Sequence, residues 1–293
     1  MKQGRSLQGH SRRIGLPDGL WNLHTSPRQK PFHHNYEVAR ITITISDPRK
    51  LDCAWSHQCA EVAKNFARML PSREGVLVEV GSGQGQLTIP FANVVPRYKI
   101  IALDRFKGAY SGNQARLLSE IARNRLRTRI RVVASDYNAW LAAQPDSRYD
   151  GVISSEFLPE ITSKRMVRFF DQCHRVTKPR GITVHSFLSP EPGNARQKRL
   201  IEADSNPKWT KTPPLEWFSP SQGIVVDYLR SAGFRKLQQT RLKSGLVIRS
   251  EAARQLLKDW DVRGSYWKLH GRVLERDGLE IPDWIIVGGI KKP

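Results

Sequence analysis

Three glycines at alternate positions, Gly81, Gly83 and Gly85, follow directly on the strand-like run "VLVEV" that ends at Val80. A backbone without side chains at the end of such a run can turn tightly and lie against a ligand. That ligand is a phosphate, a dinucleotide or a nucleoside-like cofactor without phosphates. No Lys-Ser or Lys-Thr pair follows the glycines, which removes the P-loop reading. Gln86 stands where the dinucleotide fingerprint Gly-x-Gly-x-x-Gly needs its last glycine. Cys53, His57 and Cys59 lie close together, but their spacing fits no common zinc pattern, so no metal site is expected. His185, in an apolar strand, reads first as a hydrogen-bonded core residue.

The elements that position these residues alternate. "VLVEV", "KIIALD", "IRVVASD", "YDGVISSE" and "GITVHSF" are strand-like. Between them, "GQLTIPFANVV", "YSGNQARLLSEIARNRL" and "TSKRMVRFFDQCHRVTK" repeat apolar residues at helical spacing. The helix "SPSQGIVVDYLRSAG" and the closing strands "FRKLQQTRL" and "DWIIVGGI" follow. Alternating strands and helices predict an α/β fold: a mostly parallel sheet of about seven strands with helices on both faces. An extra N-terminal strand is expected in "VARITITIS", Val38–Ser46, ahead of the helix "LDCAWSHQCAEVAKNFARML". Residues 1–34 read as a basic, flexible arm, and residues 35–293 as one domain with its core at about 55–240. Residues 189–218, rich in Pro, Lys and Trp, read as a loop or small insertion.

An acidic residue, one apolar residue and then Gly-x-Gly-x-Gly resembles the first motif of the class I S-adenosylmethionine-dependent methyltransferases, a Rossmann-like family. Its companions recur in order. "IIALD" ends in Asp104, nineteen residues after Gly85, where the family places the carboxylate that holds both ribose hydroxyls. A carboxylate can accept both bonds of a vicinal diol. "VVASD" ends in Asp136, where the family often has an acceptor for the adenine amino group; Asp136 also reads as the N-cap of "YNAWLAAQ". "YDGVISSEF" is similar to the fourth strand, at whose mouth the methyl group sits, and "HRVTKPRGITVHSF" to the segment after it. The resemblance implies S-adenosylmethionine as cofactor, with Glu79, Gly81, Gly83, Gly85, Asp104 and Asp136 at its site.

The acceptor is less legible. "SSEFLPE" is neither the Asn/Asp-Pro-Pro-aromatic grip on an exocyclic amine nor a Pro-Cys nucleophile. Glu156 is its best-placed acid, able to orient or deprotonate an amine or hydroxyl, or else a helix-start carboxylate. The Ser-Glu-aromatic step is similar to that of arginine methyltransferases, but Arg165 stands where their second glutamate belongs.

Composition points to a polyanion. The chain of 293 residues carries 48 Lys and Arg against 27 Asp and Glu, a net charge of +21. Such an excess speaks about partners rather than fold. Arg125, Arg127 and Arg129 fall in the run "RNRLRTRIR", and Arg196, Lys198, Arg199 and Lys208 lie beside Trp209 in the 189–218 insertion. Basic groups next to aromatic rings suit unpaired bases. The first expectation is therefore an RNA methyltransferase acting on rRNA or tRNA. A protein or small-molecule methyltransferase is the second, and a non-catalytic RNA-binding or ribosome-assembly protein with this fold the third. No run is apolar enough to span a membrane, and three cysteines without a disulfide pattern suit a reducing compartment. The expected location is the cytoplasm, with mitochondrion and nucleus left open by the basic N-terminus.

Overall fold

A computed structural model describes residues 42–71, 73–107, 113–212 and 216–293. The arm expected over 1–34 lies outside the described residues. In chain order the elements are β1 (Ile43–Ile45), α1 (Leu51–Met69), β2 (Gly75–Val80), α2 (Thr88–Val94), β3 (Tyr98–Asp104), α3 (Gln114–Arg123) and β4 (Ile130–Ala134). There follow α4 (Tyr137–Ala142), β5 (Tyr149–Ser155), α5 (Ser163–Val176), β6 (Thr177–Leu188), α6 (Ala195–Ser205) and α7 (Gln222–Ser231). The chain closes with β7 (Phe234–Leu242), β8 (Leu246–Ile248), α8 (Ser250–Asp259), α9 (Gly264–Arg276), β9 (Leu279–Glu280) and β10 (Trp284–Lys291).

Seven strands form the main sheet in the order β4-β3-β2-β5-β6-β10-β7, and β10 alone runs against the rest. Alternation along β2 sends Leu77 into one apolar cluster, with Phe66 and Phe91 of α1 and α2. Val78 and Val80 enter the other, with Phe169 and Phe170 of α5. Both faces are thus covered, as the near-continuous apolar strands require. From β2 the chain builds β3 and β4 to one side, then β5 and β6 to the other. That reversal opens a crevice at the carboxyl ends of β2 and β5, where such sheets bind ligands.

A second assembly overhangs this crevice. Of the expected extra N-terminal strand, residues 38–41 lie outside the described residues; β1 does not join the main sheet but pairs in parallel with β8, and β8 antiparallel with β9. Residues 189–218 are more than a loop, because Asn194 caps α6 through its side chain. α6 is tied to the segment before β10: Gln197 Nε2 donates to Glu280 Oε1 at 3.0 Å and to Asp283 Oδ1 at 3.1 Å. Trp209 packs edge-on against Tyr266 of α9 at 5.4 Å, and Arg263 N donates to Trp209 O at 2.6 Å. The two insertions form one roof.

Candidate active site

The three glycines turn the chain from β2 toward α2 in left-handed conformations, with φ of +76°, +52° and +91°. An added Cβ would lie 2.6 Å from Leu117 Cδ1 at Gly85 and 3.0 Å from the Phe157 ring at Gly81. The left-handed backbone disfavours other residues at the turn, and the Phe157 ring crowds a side chain at position 81. Asp104, at the end of β3, pins it: Oδ2 accepts from Gly83 N at 2.8 Å and Oδ1 from Phe106 N at 2.7 Å. Each oxygen keeps a further lone pair toward the cleft. Asp136 caps α4, its Oδ1 accepting from Asn138 N and Ala139 N. The Ser135 and Tyr137 on either side of it line the cleft.

Beside the glycine turn lies a pocket of about 140 Å³ lined in part by Glu79, Ser82, Trp284 and Glu156. Three of its side chains are almost completely buried, at 1%, 4% and 0% exposure for Glu79, Ser82 and Trp284. Glu79 Oε2, Ser82 Oγ and Trp284 Nε1 have no hydrogen-bond partner among the described residues. Burial pushes the Glu79 carboxyl up to about 8. One orphan carboxylate and two orphan donors in one small cavity fit an aminocarboxyl group, the ammonium on Glu79 and the carboxylate on Ser82 and Trp284. That is the amino-acid end of S-adenosylmethionine, and Asp104 across the turn fits its ribose. When bound, the cofactor supplies an electrophilic methyl group on a sulfonium.

Glu156 stands where β5 ends. Its φ of +54° is left-handed, an uncommon state for a side chain of this kind and one that concentrates at functional sites. Its amide donates to Ser186 O at 2.9 Å and its Oε1 accepts from Leu188 N at 2.7 Å. β6 thereby clamps the residue and leaves the second carboxylate oxygen free. Burial pushes its carboxyl up to about 8 as well. His185 is a core residue: Nδ1 lies 2.8 Å from Ser154 Oγ, Nε2 lies 2.6 Å from Thr183 Oγ1, and burial lowers its pKa to about 3.

The cleft, from the donor side at Gly81, Asp104 and Tyr137 past Glu156 to the roof, forms one cavity of about 670 Å³. Its upper wall includes Trp55, Phe218, Ile248, Trp260 and Ile281, with Asp204 of α6. Nothing in the sequence marks these as site residues. The pairs Ala252/Leu256 and Ala253/Leu257, all buried, carry the i,i+4 signal of α8. Asp204 has no such signal, since only the folding of α6 brings it to the cavity.

The basic residues expected at an RNA surface are placed differently from one another. Arg125, Arg127, Lys198 and Lys208 are exposed. Arg129 is half-buried and donates to Val95 O and Tyr98 O at 2.7 and 3.0 Å, tying β4 to the α2–β3 turn. Arg196 and Arg199 reach Glu280 and Asp277 at 3.8 and 3.3 Å. Trp209 is 7% exposed and packs inside the roof, so its ring has no free face for a base; Lys208 Nζ sits 4.4 Å over it. Among the described residues no group of three or more His, Cys, Asp or Glu is arranged to hold a metal ion. No helix among them is long and apolar enough to cross a membrane.

A glycine turn at the switch point, a carboxylate at the end of β3 and an acid at the end of β5 match the arrangement of the class I S-adenosylmethionine-dependent methyltransferases, whose fold this chain has. Residues 77–181 match the family described as "Methyltransferase domain", which takes in β2 through the start of β6. The matched segment is a methyltransferase domain, and the chain is an enzyme with S-adenosylmethionine as its cofactor. Solved structures share the fold at low identity. YcgJ from Bacillus subtilis is 12% identical with a TM-score of 0.54, over 81% of this chain and 99% of that one. A SAM-dependent methyltransferase from Archaeoglobus fulgidus is 16% identical with a TM-score of 0.50, over 80% and 94%. The cyclase SpnF is 18% identical with a TM-score of 0.53, over 80% of each chain. No curated protein matches the sequence.

One prediction concerns β10, which lies outside the matched segment. Trp284→Phe keeps an aromatic ring and removes the N–H. It should weaken binding of S-adenosylhomocysteine by about tenfold or more, the worth of a hydrogen bond to a charged group. Binding of 5′-methylthioadenosine, which lacks the aminocarboxyl group, should be unchanged. Equal losses for the two ligands would make Trp284 a packing residue only.

Proposed function

We propose that this methyltransferase acts on a small acceptor taken up in the roofed cavity. The observation that carries this reading is the roof itself. Two insertions that the donor site does not need close over Glu156 with apolar side chains, Ile248, Trp260 and Ile281 among them. The cavity takes in both the donor side and the space beneath the roof, and the apolar lining of the latter is of the kind that encloses a small ligand. Glu156, fixed by β6 and with one oxygen free, is the group that orients the acceptor or takes its proton. Much of the remaining catalysis is alignment of donor and acceptor.

The net charge of +21 supports a second reading, methyl transfer to rRNA or tRNA with the exposed Arg125, Arg127, Lys198 and Lys208 on phosphates. Labelled-methyl transfer into a cell extract separates the two. With a small acceptor, the label enters the fraction that passes a low-molecular-weight filter and survives nuclease. Label in the retained, nuclease-sensitive fraction would overturn the small-acceptor reading and support RNA.

A further inference from the structure

The cavity carries a charge pattern opposite to that of the protein. Besides Asp104 in the donor half, it is lined by Asp52, Glu156, Glu160, Asp204 and Asp259, against Arg105, Lys107 and Arg165. Most of these charges are already engaged. Asp52 pairs with Arg116 at 3.3 Å, and Asp259 accepts from Gln255 at 2.7 Å. Arg105 favours the ionised Glu160 less than burial and Asp104 oppose it, and Arg165 lies 5.5 Å over the Tyr137 ring. Glu156 and Asp204, like Glu160, form no ion pair among the described residues. Glu156 accepts only the Leu188 amide, and the Asp204 side chain has neither a hydrogen bond nor an ion pair there. They line the same cavity, where the charges of Glu160 and then Asp204 both act on Glu156. Burying two like charges without a counter-ion is costly, and a cationic ligand relieves it. Trp55, Phe218 and Trp260 complete the walls, and aromatic faces also attract cations.

We propose that the acceptor is an amine, bound as its cation on an apolar or aromatic skeleton, with the carboxylates of Asp204 and Glu156 as its counter-charges. This rests on the small-acceptor reading. In the transfer the ammonium proton passes to Glu156. The freed nitrogen lone pair forms the N–CH3 bond, and the electron pair of the breaking S–CH3 bond stays on the donor sulfur. The products are the N-methylammonium ion and S-adenosylhomocysteine. Asp204 is a positioning residue for the incoming charge.

The test is calorimetry on the full chain saturated with S-adenosylhomocysteine. The probes are phenethylamine and tryptamine, each against the alcohol and the carboxylic acid of the same skeleton. The amines should bind at least about tenfold more tightly than their partners, as for a hydrogen bond between charged groups. Asp204→Asn should erase that preference while S-adenosylhomocysteine still binds, which shows the variant folded. An alcohol or acid that binds as well as its amine, or a preference that survives Asp204→Asn, would overturn the amine assignment and leave the small-acceptor reading standing. No binding by any of the six probes, with S-adenosylhomocysteine bound, would overturn both.

Discussion

Asp104→Ala should lower the affinity for S-adenosylhomocysteine by about 1.5–3 kcal/mol, the cost of losing hydrogen bonds to a charged acceptor. The lower end follows from the ribose alone. The structure adds a second contribution, because the same carboxylate holds Gly83 N and Phe106 N. Without it the glycine turn loses the contact that fixes its middle residue. The loss should therefore exceed that of Trp284→Phe, and 5′-methylthioadenosine, which keeps the ribose, should suffer it equally. Asp104→Asn separates the two contributions: it keeps one acceptor oxygen but sets an amide NH2 against a backbone N–H. An affinity unchanged by Asp104→Ala would move the ribose away from β3.

Glu156→Gln should reduce methyl transfer by about 100-fold or more while leaving S-adenosylhomocysteine affinity within a few-fold of wild type. General acid–base catalysis contributes about 10²–10⁴-fold in rate, and the amide keeps the shape and the Leu188 bond while losing the proton acceptor. The pH dependence is specific. A base must be ionised to work, and burial raises the Glu156 carboxyl to about 8. Transfer should then climb as pH rises through that value, and the part of the climb that belongs to Glu156 should vanish in the glutamine variant. Wild-type turnover in that variant would make Glu156 a structural residue of the β5 turn, which its left-handed backbone alone would also suit.

The donor half is legible in the sequence because its chemistry constrains local spacing. Left-handed backbone at positions 81, 83 and 85 favours glycine, and the next strand ends in an acid that reaches the turn. Strand and helix patterns predict the seven-stranded sheet because its strands are buried and read as apolar runs. Asp136 is legible as a helix cap, from a short-range rule. The roof is not legible. β8 and β9 have three and two residues, too short to show a period, and α6 is a short helix in a Lys- and Pro-rich stretch. Asp204 and Trp284 reach the site only through contacts between segments far apart in the chain. Reading basic residues beside tryptophan as a stacking surface does not anticipate that Trp209 is enclosed by α9. Burial of a ring depends on what folds over it, and a one-dimensional pattern does not carry that.

We propose that the methyl donor is held at the ends of β2 and β3 with its amino-acid end beside Trp284, and the acceptor chemistry depends on that placement. Calorimetric titration of the wild-type chain with S-adenosylhomocysteine tests it most directly. The predicted result is a single saturable site, with one ligand bound per chain and tighter binding than for 5′-methylthioadenosine. An absence of binding, or equal affinity for the two ligands, would contradict it.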